Sequence, residues 1–269
     1  MARMKVDLTT TTHRILGMFG LVVIAAVLVG EWGFFTVEAS AIQKENHAEK
    51  EANLKGQALG GLFNRWTFDG QKPNEVPAEF STLTLGDGAE GVWTIQADAD
   101  APSAPNSLRS ESSCQSPSCF RLLVANKLQY EYPDVSVRLR FPAEGGAGQG
   151  GIVVGLRDAK NFYAAVVDLA SKKLEVIRVI DGQVTQLGQT VIVPKAVDWH
   201  SLRVQRDTII SKDVIEAFFD GLLVLSVQDQ SLGLGQIGLL VHGNSSLYFD
   251  SLHAIPLFSQ RPFSAPAAY

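Results

Sequence analysis

The chain reads as an all-β protein, an antiparallel sandwich or barrel, and three observations carry that reading. Short β-prone runs recur from Leu62 onward, among them "RWTFD", "GVWTIQA", "FRLLVA", "DVSVRLRF", "GGIVVGLR", "NFYAAVVD" and "KLEVIRVI". Asp-Gly pairs at 181–182 and 220–221 stand between apolar runs, the strongest short-range hairpin signal, because both residues tolerate the positive φ of a tight turn. No helical periodicity of three turns appears after residue 60. About a dozen strands joined by hairpins leave a sandwich or a barrel.

The N-terminus reads as a targeting segment. Arg3, Lys5 and Arg14 precede Ile15–Gly30, sixteen residues without a charge. That length suits a signal-peptide core and is short of the ~20 residues of a membrane span. Ala39-Ser40-Ala41 fits a small-x-small cleavage site. Residues 1–41 are therefore expected to be a signal peptide or a membrane anchor. The basic residues stay inside and the rest is exported, to the periplasm, the exterior or an outward-facing membrane position. Residues 42–60 are polar and charged and read as a linker. The β domain then runs over 61–257, and the Pro/Ala-rich 258–269 is a tail.

Charge excludes one class of partner. The chain has 269 residues and a formal net charge of −5. No Lys/Arg cluster interleaves with aromatics, so nucleic acid is not an expected partner. The two cysteines, Cys114 and Cys119 in "CQSPSC", read as a small disulfide loop formed in an oxidising compartment. They have no C-x-x-C spacing and no adjacent histidine, so zinc, haem attachment and thioredoxin chemistry lack support.

The stretch "GGIVVGLRDAKNFYAAVVD" holds the candidate site. A three-residue loop Asp158–Lys160 would set Arg157 opposite Asn161 and Gly155 opposite Tyr163. Ile152, Val154, Leu156, Phe162, Ala164 and Val166 would then face the core, joined by Leu174 and Val176. Gly151, Gly155, Arg157, Asn161, Tyr163, Lys173 and Glu175 would face outward. Gly155 would leave a shallow trough beside Tyr163, bordered by Arg157, Asn161 and Glu175. A flat ring with planar hydrogen-bonding groups is what a sugar ring needs. The same residues also fit a solvated face on which Tyr163 covers a bare glycine. Arg178 falls on the core side and belongs there only at a rim.

The order of "GGIVVGLRDAKNFYAAVVD", "KLEVIRVIDG", "WHSLRV", "EAFFDGLLVL", "LGQIGLLVHG" and "LYFDSL" resembles concanavalin A-like lectin/glucanase domains over roughly Leu62–Leu257. The nearest resemblance is to the laminin-G-like and 3-keto-disaccharide hydrolase group. It implies a two-sheet antiparallel jelly-roll sandwich whose concave face often binds glycans. Family 16 hydrolases of this superfamily carry E-x-D-x-E or E-x-D-x-x-E, two carboxylates for acid and nucleophile. This chain has neither run, and "NFYAAVVD" offers only Asp168 as an acid. The expectation is a non-catalytic glycan-binding domain that requires no cofactor. A glycoside-hydrolase-like enzyme is the alternative, and a structural or adhesion module the third reading. Asp69 in "TFDG" and Asp250 in "YFDSL" lie near the two ends of the domain, where terminal strands of such sandwiches are often neighbours. They are the candidate ligands of a structural Ca²⁺. His200, His242, Trp66, Trp93 and Trp199 read as structural residues.

Overall fold

The computed structural model describes residues 56–258, except 115, 117–118, 143–147 and 210–211. These residues all fall in the unit Leu54–Tyr269. The segment expected to direct export, the rest of the expected linker and the residues beyond 258 lie outside the described residues.

Among the described residues seventeen strands run in chain order: β1 (Ala58–Leu59), β2 (Asn64–Trp66), β3 (Phe80–Leu85), β4 (Val92–Ala97), β5 (Asn106–Ser113), β6 (Phe120–Ala125), β7 (Gln129–Tyr130), β8 (Pro133–Arg140) and β9 (Gln149–Asp158). Then come β10 (Asn161–Asp168), β11 (Lys173–Ile180), β12 (Gln183–Val191), β13 (His200–Ile209), β14 (Lys212–Phe219), β15 (Leu222–Gln228), β16 (Gln236–His242) and β17 (Asn244–Pro256). They form a seven-stranded sheet, β12-β11-β10-β9-β16-β6-β3, and an eight-stranded sheet, β15-β14-β13-β8-β17-β5-β4. β2 adds to β17, and β1 pairs with β7. All pairings are antiparallel, as the hairpin signals require. Both Asp-Gly turns are built with positive φ at each residue: 51° and 79° at Asp181-Gly182, 48° and 83° at Asp220-Gly221. Ala58–Leu59, read from composition as linker, is already a strand, and Gln57 is buried beside it.

Two apolar layers hold the sandwich. The larger draws on both sheets and fills the space between them: Trp93, Ile95, Leu108 and Phe249 from one, Ile152, Val154, Leu174 and Leu239 from the other. The second comes from the seven-stranded sheet alone. Phe120, Leu122, Val153, Phe162, Ala164, Val166, Ile177, Val179 and Leu240 alternate with interior residues and so stand on the outer face, where they too are buried. The central strands of this sheet are therefore apolar on both sides, and their sequences read as near-continuous apolar runs.

That double burial overturns one part of the expected hairpin. The β9–β10 turn has two residues, with Asp158 opposite Asn161, and a bulge at Gly155 shifts the ladder so that Tyr163 pairs with Val154 and Ala165 with Ile152. Gly155 sits at φ 61°, a conformation glycine adopts without steric cost. β9 and β11 keep their expected faces up to the bulge. β10 is inverted: Tyr163, Ala165 and Val167 point into the core, while Phe162, Ala164 and Val166 point outward. Leu156, beyond the bulge, also joins the outer layer. A one-residue slip turns every side chain to the opposite face.

Candidate functional site

The four residues expected to share one site separate. Tyr163 is fully buried between the sheets. Its hydroxyl donates to Asp229 Oδ1 at 2.5 Å and accepts from the Leu232 amide at 3.0 Å. Burial, then the Asp229 carboxylate, push its pKa up to about 12. Gly155 does lie against its ring, as expected, but on the interior side: an added Cβ would be 3.3 Å from Tyr163 Cδ2. Arg178 occupies the rim position its parity demanded, with Nη1 2.5 Å from Asp229 Oδ2. Behind Tyr163 lies Arg206, 1% exposed, paired with Asp213 at 2.6 Å and donating to three backbone carbonyls. Its guanidinium stacks over the Tyr132 and Tyr163 rings. This cluster locks the β15–β16 connection onto the sandwich.

Asn161 is a turn lock. Its Nδ2 donates to the Asp158 carboxylate and its Oδ1 accepts from the Asp181 amide. Arg157 is exposed at the same end of the sheet. Glu175 pairs across with Val166, five residues along β10 from Asn161, or roughly 17 Å. Of the expected set, Glu175 alone stands on the outer face away from that turn.

Glu175 shares its face with Lys173, as expected, and with three residues that the sequence reading did not gather there. His242, Gln149, Asp168 and Lys173 are direct cross-strand partners on β16, β9, β10 and β11, which puts all four on one face in one row. The next row holds Leu240, Gly151, Val166, Glu175 and Gln189. Gln149 Oε1 meets His242 Nδ1 at 2.5 Å, and Gln149 Nε2 donates to Asp168 Oδ2 at 3.0 Å. The His242 ring stacks on Phe120 with centroids 4.5 Å apart. Around Glu175, the residues Gln149, Val166, Asp168, Ser171, Lys173 and Gln189 enclose a cleft of about 280 Å³, close to the ~300 Å³ at which small-ligand pockets begin. Gly151 belongs to the floor of this face. A Cβ there would fall 1.8 Å from the Ala165 carbonyl oxygen, so the floor stays bare at that point. The trough expected beside Gly155 and Tyr163 does not lie on the outer face, because Tyr163 is buried between the sheets.

The two carboxylates in the cleft are pushed in opposite directions. Burial raises the Glu175 pKa, against the attraction of His242 and Lys173. Burial raises that of Asp168 too, but hydrogen bonds from Ser171, Gln149 and Ala170 outweigh it and leave it lowered. The cleft therefore offers two carboxyl groups held differently, two amides and an ammonium, with the His242 imidazole beside it. A cross-strand row of this kind has a signal in the sequence only once the register is known.

Asp69 and Asp250 do come together, as their positions at the two ends of the domain suggested. Ser103 bridges them: its hydroxyl donates to Asp69 Oδ2 at 2.7 Å and its amide to Asp250 Oδ2 at 2.6 Å. The Asn106 and Ser251 amides donate to the remaining oxygens. Asp250 is fully buried, and burial with the nearby Asp69 and Asp98 charges pushes its pKa up to about 6. Protein donors already engage both carboxylates, so their approach does not itself require calcium. Among the described residues no group of three or more His, Cys, Asp or Glu is arranged to hold a metal ion. His200 is structural, as expected, bonded to Asp220 and stacked on Phe219. Trp93 and Trp199 are buried, but Trp66 is only half-buried. Cys114 and Cys119 form a disulfide with Cα atoms 6.1 Å apart, inside the usual range and compatible with an exported protein.

No family model and no curated protein matches the chain. Solved structures do. The carbohydrate binding module CBM66 from Bacillus subtilis is similar with a TM-score of 0.52 at 15% identity, over 66% of this chain and 95% of that one. A Bacillus subtilis protein of unknown function with a galectin-like fold gives a TM-score of 0.50 at 11% identity, over 73% and 96%. At such identities the likeness is one of fold. It is the fold of concanavalin A-like lectins and glucanases, as the order of the sequence motifs implied.

Proposed function

We propose that this concanavalin A-like sandwich binds a glycan at the polar end of the outer face of its seven-stranded sheet, through Gln149, Asp168, Lys173, Glu175, Gln189 and His242. The observation that carries the reading is the cross-strand row itself. Four polar side chains of different chemistry stand side by side on four adjacent strands, beside the cleft around Glu175. Hydroxyls of a sugar both donate and accept, and this set supplies both partners on a rigid sheet. The fold shared with a carbohydrate binding module supports the ligand class. Arg157, Asn161 and Tyr163 have no part in the proposed site.

The test is a glycan-array screen of protein recovered from the envelope or medium fraction of its own cells, followed by titration of Glu175→Ala and Lys173→Ala against any hit. Each substitution removes hydrogen bonds worth about 1–3 kcal/mol when a charged group takes part, a loss of roughly tenfold or more in affinity. Unchanged affinity in both overturns this site. Recovery of the mature protein from the cytoplasm overturns export.

One observation favours a hydrolytic second reading. Two carboxylates in one cleft with pKa values driven apart, Glu175 up and Asp168 down, form the arrangement from which a general acid and its partner are drawn. Product analysis of the bound glycan decides it: shortened chains support hydrolysis, and intact glycan supports binding alone.

A further inference from the structure

We infer that the domain has a second sugar-binding site, beside the β3 edge of the seven-stranded sheet and at its opposite end, where β2, added to β17 of the other sheet, supplies Trp66 as the platform. Three separate segments are tied together there by backbone contacts. Gly60, at φ 100°, lies so close to the β6–β7 turn that an added Cβ would be 2.2 Å from the Lys127 carbonyl oxygen. The Asn126 amide donates to the Glu79 carbonyl at 2.8 Å. The segments enclose a cleft of about 700 Å³, well inside the ~300–1,000 Å³ range of small-ligand sites.

The cleft wall has the composition a sugar ring needs. Trp93 and Trp199 are 1% and 7% exposed, whereas Trp66 is half-buried and lines the cleft. Its ring is held on two sides. Nε1 donates to Glu79 Oε2 at 2.5 Å, and the ring meets Phe80 edge-on at 5.2 Å. A tryptophan fixed in place and left partly open offers a rigid apolar plate at low entropic cost. Around it stand the exposed Glu79, Asn126 and Lys127. A carboxylate, an amide and an ammonium pair with ring hydroxyls while the indole takes the C–H face. Glu79 precedes β3 and Glu175 lies on β11, five strand spacings apart, so the two sites are separated by about 24 Å across the sheet. One sugar residue cannot reach both.

The test uses the full chain and reads tryptophan emission together with calorimetry. The probes are cellohexaose, xylohexaose, laminarihexaose and levan. At least one should change the emission saturably, since Trp66 is the one partly open tryptophan among the described residues. Trp66→Phe should lose the emission change. Trp66→Ala should weaken binding about tenfold. Lys127→Ala, at an exposed position that leaves folding intact, should weaken it severalfold. Glu175→Gln should leave the emission change in place, because it removes only the other cleft. Heat of binding without any emission change overturns the second site and leaves the first standing. So does unchanged affinity in both Trp66→Ala and Lys127→Ala, or loss of the emission change in Glu175→Gln.

Discussion

The two ends of the β9–β10–β11 hairpins carry similar side chains and use them in opposite ways. At one end Tyr163, Arg178, Arg206, Asp213 and Asp229 turn inward or onto the rim, and each finds a partner between the sheets. At the other, Gln149, Asp168, Lys173 and Glu175 turn outward around a cleft, with His242 beside them in the same row. Tyrosine, arginine and carboxylate do structural work at the first end because their hydrogen-bonding capacity is spent on the protein. Buried polar groups stabilise a fold only when partnered. The second end keeps capacity in reserve: no hydrogen bond to Glu175 is formed within the described residues. Residue type alone does not separate a lock from a binding site; the direction of the side chain does.

The largest expected effect comes from breaking the lock. Arg206→Met leaves Asp213 buried without its countercharge, and removal of one partner of a buried pair costs about 3–5 kcal/mol. Chemical denaturation should show that loss. A change below about 1 kcal/mol would mean that water or a neighbour replaces the guanidinium, and the inward end is not a lock.

Tyr163→Phe is gentler. It removes one hydroxyl that bonds both Asp229 and the Leu232 amide, a loss of about 1–3 kcal/mol, and should leave glycan affinity unchanged. The same group predicts a pH dependence. Its folded pKa of about 12 lies above the ordinary ~10. The folded state therefore holds the proton more tightly. The stability this represents is fully present below pH ~10 and is lost as pH rises toward 12, by at most ~3 kcal/mol. The Tyr130 pKa is raised by burial as well, so spectrophotometric titration should show more than one tyrosine that ionises late, and Tyr163→Phe should remove one of them. If every tyrosine titrates near pH 10 in the folded protein, Tyr163 is not held as described.

The smallest effects separate the two carboxylates of the cleft. Glu175 has a raised pKa, so its ionised form weakens the fold, and that contribution is fully relieved below its ordinary range and felt as pH rises through the folded value. Glu175→Gln should leave neutral-pH stability within about 0.5 kcal/mol of the parent or slightly above it. Asp168 is lowered by its hydrogen bonds, so it contributes stability that is present above its ordinary value and lost as pH falls through the folded one. Asp168→Asn should cost about 1 kcal/mol at neutral pH. Equal effects of the two substitutions on thermal melting would mean that the cleft does not drive the two groups apart.

Much of this protein was legible in the residues. Alternation and Asp-Gly turns, local properties read within a few residues, lead to an antiparallel sandwich or barrel, and the order of the strand motifs, through its resemblance to concanavalin A-like domains, implies the sandwich. The cysteine pair, the rim position of Arg178 and the outward direction of Glu175 also followed from spacing and parity, and the meeting of Asp69 and Asp250 from the way such sandwiches place their terminal strands. Trp66 was harder to place, because a half-open tryptophan and a buried one look alike in sequence. What tertiary structure alone decided was which way β10 faces. "NFYAAVVD" is apolar at every position from Phe162 to Val167, because that strand is buried on both sides. Alternation then carries no contrast, and the register falls to the turn length and the bulge at Gly155. That single step sent Tyr163 into the core and brought Asp168 into the proposed glycan row on four strands, β9 to β11 and β16, whose partners are up to 93 residues apart in the chain.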